Sequence, residues 1–411
     1  MTQMRMTRLV VAAAMIATPV VAQIPDRAVC GAPPASSAAR PMTIPIDVSD
    51  NHVFVKVCAG DLPLDFILDT GASMNFFDLH TAERLGLKLG NSFTGTGAGA
   101  GSIAGAELEG ATVRFAGSSL TQSVSGALDF SRMSRGSGRR LGGMLGYEFI
   151  RRFVVAIDYV KREMRLYDPR TFHYEGPGTP VPLIFLENQP HVMAEVRLAD
   201  GGTVQGRMVV DVGSGGALLL TKPFADENHL RERIGPTLHR RTGAGVGGPV
   251  TSDVGRVETL ALGRVEILRP VTALAGAGAG NFSGNDEWIG NIGGDILRRY
   301  TVFFDYANKR MILEPHAGTK EPFEADMSGL GLRMNDSLTG ALVDFVVPGT
   351  PATDAGLAVG DTLVSIDGKP ANRAAIQDLR SRFRRVGERI VLTVRREGKT
   401  RTVTLVLRRL V

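Results

Sequence analysis

Two short runs have the residue types for joint chemistry. Asp69-Thr70-Gly71-Ala72-Ser73 sets a carboxylate in a glycine turn, and Asp211-Val212-Gly213-Ser214-Gly215 repeats the pattern less cleanly. A lone Asp beside Gly is an ordinary β-turn. Two of them, each inside the same larger pattern, suggest carboxylates brought face to face. Such a pair cannot ionise twice at close range, so it holds one acid and one base at once. The ionised member draws a proton from a bound water while the protonated member donates to a carbonyl. That chemistry hydrolyses an amide with no metal, cofactor or covalent intermediate. Gly71 and Gly213 let each turn tighten and approach the other.

The elements around each turn recur in order. Opening strands with period-two alternation begin at His52-Val53-Phe54 and His191-Val192-Met193. Apolar strands then run into each aspartate, Phe66-Ile67-Leu68 before Asp69 and Met208-Val209-Val210 before Asp211. Glycine-rich hairpin candidates follow, with Gly97 and Gly99 in one and Gly243 and Gly245 in the other. Next come Met144-Leu145-Gly146 and Asn291-Ile292-Gly293, and each copy closes on a strand pair, Val154–Asp158 with Glu163–Tyr167 and 301–305 with 310–313. Five landmarks in one order read as a duplicated, mainly β unit. The expected layout is an irregular tail over 23–45, lobe 1 over 46–175, a linker around 176–182 and lobe 2 over 183–316. From 323 to 411 the pattern changes. Gly329-Leu330-Gly331-Leu332 precedes a strand-like run, an amphipathic helix is expected over 374–384, and the end alternates as a hairpin.

Phe66-Ile67-Leu68-Asp69-Thr70-Gly71-Ala72-Ser73 resembles the active-site turn of aspartic proteases, especially retropepsin-like ones. The glycine hairpins resemble their flaps, and Gly146 and Gly293 sit in the apolar-apolar-Gly elements that support the turn. The resemblance implies two β-barrel lobes in one chain, as in pepsin-like enzymes, with Asp69 and Asp211 catalytic and Thr70, Gly71, Ser73, Gly213 and Ser214 supporting them. The family expects Ser or Thr where Val212 stands. Thr70 can still accept from the Val212 N–H and donate to a nearby carbonyl. A Ser214 hydroxyl on Asp211 would favour that residue's ionised form. The tail of the chain resembles a PDZ domain, which implies peptide binding by strand addition, with a protein C-terminus held at Leu330, Gly331 and Leu332. The expected function is an exported aspartic endopeptidase acting on peptides or proteins as a monomer. Two alternatives stay open: a homodimer pairing two Asp69 residues, and a non-catalytic peptide-binding scaffold.

Composition bounds the rest. With 411 residues, 43% hydrophobic and 22% charged, two or three soluble domains are expected. Residues 1–22 read as a signal peptide, with Arg5 and Arg8, an apolar run over 9–16 and a Val20-Val21-Ala22 cleavage site. That implies a periplasmic or secreted protein with no stable membrane insertion. Cys30 and Cys58 either pair in an oxidising compartment or are unrelated small residues. The net charge of +5 comes without aromatic-basic interleaving, so nucleic acid is not expected as a partner. Arginines at 132, 135, 139 and 140, and at 380, 382, 384 and 385, read as solvated faces. Seven dispersed histidines, no HExxH and no phosphate-loop lysine leave metal and nucleotide chemistry unsupported.

Overall fold

The computed structural model describes Cys30 and residues 41–411. The signal-like segment, residues 1–22, lies outside the described residues. The chain is mainly β, with 47% strand and 14% helix. Among the described residues no helix is long and apolar enough to cross a membrane.

Each lobe threads its aspartate-bearing strand the same way. In lobe 1, Leu62–Leu68 pairs antiparallel with His52–Ala59 and parallel with Leu141–Leu145, which pairs antiparallel with Phe76–Asp78. In lobe 2, Thr203–Asp211 pairs with Gln189–Arg197 and parallel with Gly290–Gly293, which pairs antiparallel with Leu218–Leu220. Parallel strands with sheet on both sides are buried on both faces. Phe66, Ile67, Leu68, Val209 and Val210 are accordingly all buried, which explains their unbroken apolar spelling.

A six-stranded antiparallel sheet joins the lobes. Its order is Thr179–Pro182, Arg310–Pro315, Tyr300–Asp305, Val154–Asp158, Glu163–Tyr167, Met42–Ser49. At its centre Val155 faces Phe304 and Ile157 faces Val302. These two pairs exchange under the 147-residue repeat offset, so the junction is built like the self-complementary contact of a two-fold dimer. Two segments read as irregular are strands here. Met42–Ser49 begins within the expected tail, and Thr179–Pro182 lies in the expected linker. The prolines obscured the second strand, but it is an edge strand, where a missing N–H costs nothing.

The C-terminal unit has its own apolar core, with Leu330, Met334, Ile376, Leu379, Phe383 and Leu392 buried together. Strand Leu330–Met334 is at the end of its sheet, alongside helix Arg373–Arg382. Asn372 caps that helix by accepting from the Ala375 N–H at 3.0 Å. The disulfide Cys30–Cys58 ties the N-terminal segment to the second strand of lobe 1.

The arginine clusters are not simply solvated. Arg139 is 6% exposed, pairs with Asp47 and, at 3.1 Å, with Asp65, and lies over the Phe54 ring. Its segment is a helix, Ser131–Ser137, ended by Gly138 at positive φ, where the Ser/Gly spelling reads as a loop. Arg380 bonds Asp50 at 2.7 Å and Arg384 lies 3.6 Å from Asp295, acids of lobe 1 and lobe 2. Sequence shows charge but not the acid waiting on another lobe.

Candidate active site

The two strands deliver Asp69 and Asp211 to the floor of one cleft between the lobes. Each turn is held alike. Gly71 N–H donates to Asp69 Oδ1 and Gly213 N–H to Asp211 Oδ1, both at 2.8 Å. Tyr147 N–H donates to the Ala72 carbonyl at 2.9 Å, and Gly294 N–H to the Ser214 carbonyl at 2.6 Å. A Cβ on Gly146 would come within 2.5 Å of the Ala72 and Met74 carbonyls, and one on Gly293 would crowd those of Ser214 and Gly216. Only glycine lets these supporting strands pass so close beneath the turns. Gly71 lies against the Asp211 carboxyl and Gly213 against that of Asp69, so each turn forms the floor for the other's side chain.

Thr70 is fully buried and ties the turns together. Its hydroxyl donates to the Val210 carbonyl at 2.6 Å and accepts from Val212 N–H at 3.0 Å. Val212, also fully buried, has no hydroxyl to return the tie. A Cβ on Gly71 would lie 3.2 Å from an oxygen of each carboxyl, so the two face each other. Burial, and then the facing Asp211 carboxyl, push the Asp69 carboxyl well above the usual carboxylate range. The Gly71 and Ala72 N–H groups pull the other way and do not win.

The outer oxygen of Asp211 is not served by Ser214, whose hydroxyl lies against Gly293. It accepts from the Asn291 side chain at 2.8 Å. Three more residues brace the turns: Asn51 and Gln189, not singled out in the sequence, and His52, quoted there only as the start of a strand. Asn51 Nδ2 crosses from lobe 1 to the Gly215 carbonyl at 2.8 Å, and Gln189 Nε2 crosses from lobe 2 to the Gly71 carbonyl at 2.6 Å. His52 packs on Gly215, and burial holds its ring below the ordinary histidine range although Asp50 and Asp211 favour its charged form. The repeated His-Val opening of strands at 52 and 191 was the signal that these strand starts face a shared site. Ser73 is exposed on the cleft wall.

The glycine hairpins close over the cleft and meet. Strands Leu89–Gly95 and Ile103–Leu108 carry Gly97 and Gly99 at their tip, whereas Gly243 and Gly245 lie on the stem strand Leu238–Gly245. Gly101 N–H donates to the Gly247 carbonyl at 2.7 Å, and Gly247 N–H to the Ala98 carbonyl at 2.8 Å. The first tip also bonds lobe 2, where Asn281 N–H reaches the Gly97 carbonyl at 3.1 Å. Below the tips the walls are apolar. Lobe 1 supplies Ile67, Phe76, Leu128 and Met144, and lobe 2 supplies Val209, Val250, Phe282 and Trp288. The cavity of ≈ 1420 Å³ exceeds the roughly 300–1,000 Å³ of small-molecule pockets.

The model of an aspartyl protease family matches residues 55–149, and that of a PDZ domain matches residues 328–407. The chain joins an aspartyl-protease domain to a PDZ domain. The protease match spans the Asp69 turn and stops short of Asp211, so lobe 2 rests on the structural repeat. No curated protein matches the sequence. Among solved structures, the HtrA3 PDZ domain bound to a phage-derived ligand (FGRWV) is similar at 23% identity, over 19% of this chain and 81% of that one, with a TM-score of 0.17. In this PDZ domain Leu330, Gly331 and Leu332 open the edge strand and line the mouth of the same large cavity as the aspartates.

Proposed function

We propose that the protein is an aspartic endopeptidase in which Asp69 and Asp211 of one chain activate a water. The face-to-face placement of the two turns, with Gly71 against the Asp211 carboxyl and Gly213 against that of Asp69, is the observation that carries this reading. With the proton held on Asp69, Asp211, which accepts from Gly213 N–H and Asn291, is the base. Asp69 keeps its proton and is the acid toward the scissile carbonyl. As the water attacks, its proton passes to Asp211 while Asp69 donates to the carbonyl oxygen. The resulting tetrahedral gem-diol collapses with proton delivery to the leaving nitrogen. The hairpins act as paired flaps that exclude water, and the apolar walls favour extended peptides with bulky apolar residues on both sides of the cut.

The disulfide, together with the signal-like N-terminus, supports export to an oxidising compartment. The edge of Leu330–Met334 that no strand of its sheet pairs with supports peptide binding at the PDZ domain. Turnover of a mixed peptide pool from about pH 3 to 8 tests the central claim. Asp69→Asn and Asp211→Asn are each expected to lower kcat by about 10²–10⁴-fold. Near-normal turnover by Asp211→Asn would instead indicate pairing of Asp69 across two chains.

A further inference from the structure

The PDZ groove meets the protease lobes. Its edge strand, Leu330–Met334, pairs on one side with Ala341–Val346. A peptide added as a strand would take the other side, between that edge and helix Arg373–Arg382. That side is already occupied. Arg380, on the helix, reaches across the groove and donates to the Leu332 carbonyl at 3.0 Å. The same guanidinium donates to the Gly136 carbonyl of lobe 1 at 2.9 Å and to Asp50 of lobe 1 at 2.7 Å. Helix Ser131–Ser137 packs on the groove strand. A Cβ on Gly138 would lie 3.2 Å from Met334 Cγ and 3.8 Å from Arg373 Cγ, so lobe 1 touches both walls of the groove. Gln377 adds a bond to Ser49 at 2.9 Å, and Arg135 pairs with Asp336 at 3.3 Å.

We propose that lobe 1 latches the PDZ groove shut, and that a peptide with a free C-terminal carboxylate and an apolar last residue opens it. This rests on reading the groove as a peptide site. The end of the groove where a carboxylate would sit stays open to the main cavity at Leu330 and Gly331, beside Arg240 and Arg241. The terminal carboxylate enters there, where Arg241 pairs with Asp344 at 2.6 Å and Arg240 lies 3.9 Å from Asp326, with Leu332 and Phe383 lining the pocket for the last side chain. Residues further back need the strand edge at Leu332 and Met334. They can pair only when Arg380 releases Leu332 and lobe 1 moves off. A site that is competent for only a fraction of the time binds weaker by that fraction.

The test uses full-length protein in an Asp69→Asn background, so that the bait is not cut. Resin displays peptides randomised over their last four residues, with the C-terminal carboxylate free or amidated. Arg380→Ala removes the latch from the PDZ side, and Asp50→Asn weakens it from lobe 1 while leaving the groove helix untouched. Both variants are expected to be retained on the free-carboxylate resin on the order of tenfold more than the parent, and not on the amidated one. Equal retention of parent and variants overturns the latch. If none is retained while the unsubstituted protein still hydrolyses peptides, peptide binding by the PDZ domain falls, the latch falls with it, and the aspartate pair stands.

Discussion

Each aspartate accepts from the N–H of its turn glycine, and Asp211 accepts also from the Asn291 side chain, whereas the matching residue beside Asp69 is Met144, whose side chain has no N–H or O–H to donate. Asn291→Met removes this donor. Losing a hydrogen bond to a charged group is expected to lower turnover on the order of tenfold. The basic limb follows Asp69. Its pKa is raised, so activity extends above the usual carboxylate range and is lost as pH rises through that raised value. A profile from pH 2 to 8 for both proteins checks the loss in turnover and the position of the basic limb. At this scale the sequence was uneven. Asp69 is legible from the spelling of its turn and Asp211 from its place in the repeat. Asn291 was quoted only as part of a repeated element, since its role depends on a side-chain direction that no spacing encodes.

The flap hairpins interlock through backbone hydrogen bonds, with Val246 and Ala98 each packing on the opposite lobe, and glycine makes the close approach possible. A Cβ on Gly247 would collide with the Gly99 carbonyl and lie 2.5 Å from that of Gly101. Gly247→Ala should therefore hold the tips apart while leaving the aspartates in place. Misplacement of about 1 Å at such an element can cost 10²-fold. The expected loss in kcat/KM is of that order for peptides, with the fold unchanged by circular dichroism. An unchanged kcat/KM would mean that the tips do not work as a closing pair. The hairpins were legible from their glycines, but their meeting was not. Contact between residues 101 and 247 joins two copies of a repeat, and periodicity within either copy says nothing of it. The edge strand Thr179–Pro182 was missed for a related reason. Its prolines argue against a strand in general and are tolerated only because no neighbour pairs on that side.

Across the whole molecule, the disulfide and the bridging sheet set what holds the chain together. Cys30–Cys58 closes a 28-residue separation. A loop of that length stabilises by about 3–4 kcal/mol in the chain-entropy account. Cys30→Ser with Cys58→Ser, or reduction of the wild type, should lower the Tm by several degrees in calorimetry, and reductant should then have no further effect on the variant. The duplicated architecture and the PDZ domain were readable from landmark order, because buried strands and glycine turns leave a residue pattern. The docking of PDZ arginines on Asp50 and Asp295 was not, because each pairs with an acid hundreds of residues or tens of residues away on another lobe. The six-stranded sheet has a further consequence. An enzyme that assembles its aspartates from two subunits loses activity on dilution and can be held inactive by scarcity alone. Here strand pairs such as Val155 with Phe304 join both halves within one polypeptide. On the proposal that Asp69 and Asp211 of one chain work as a pair, activity per molecule should be independent of how little enzyme a compartment holds, and restraint would have to be built into each molecule.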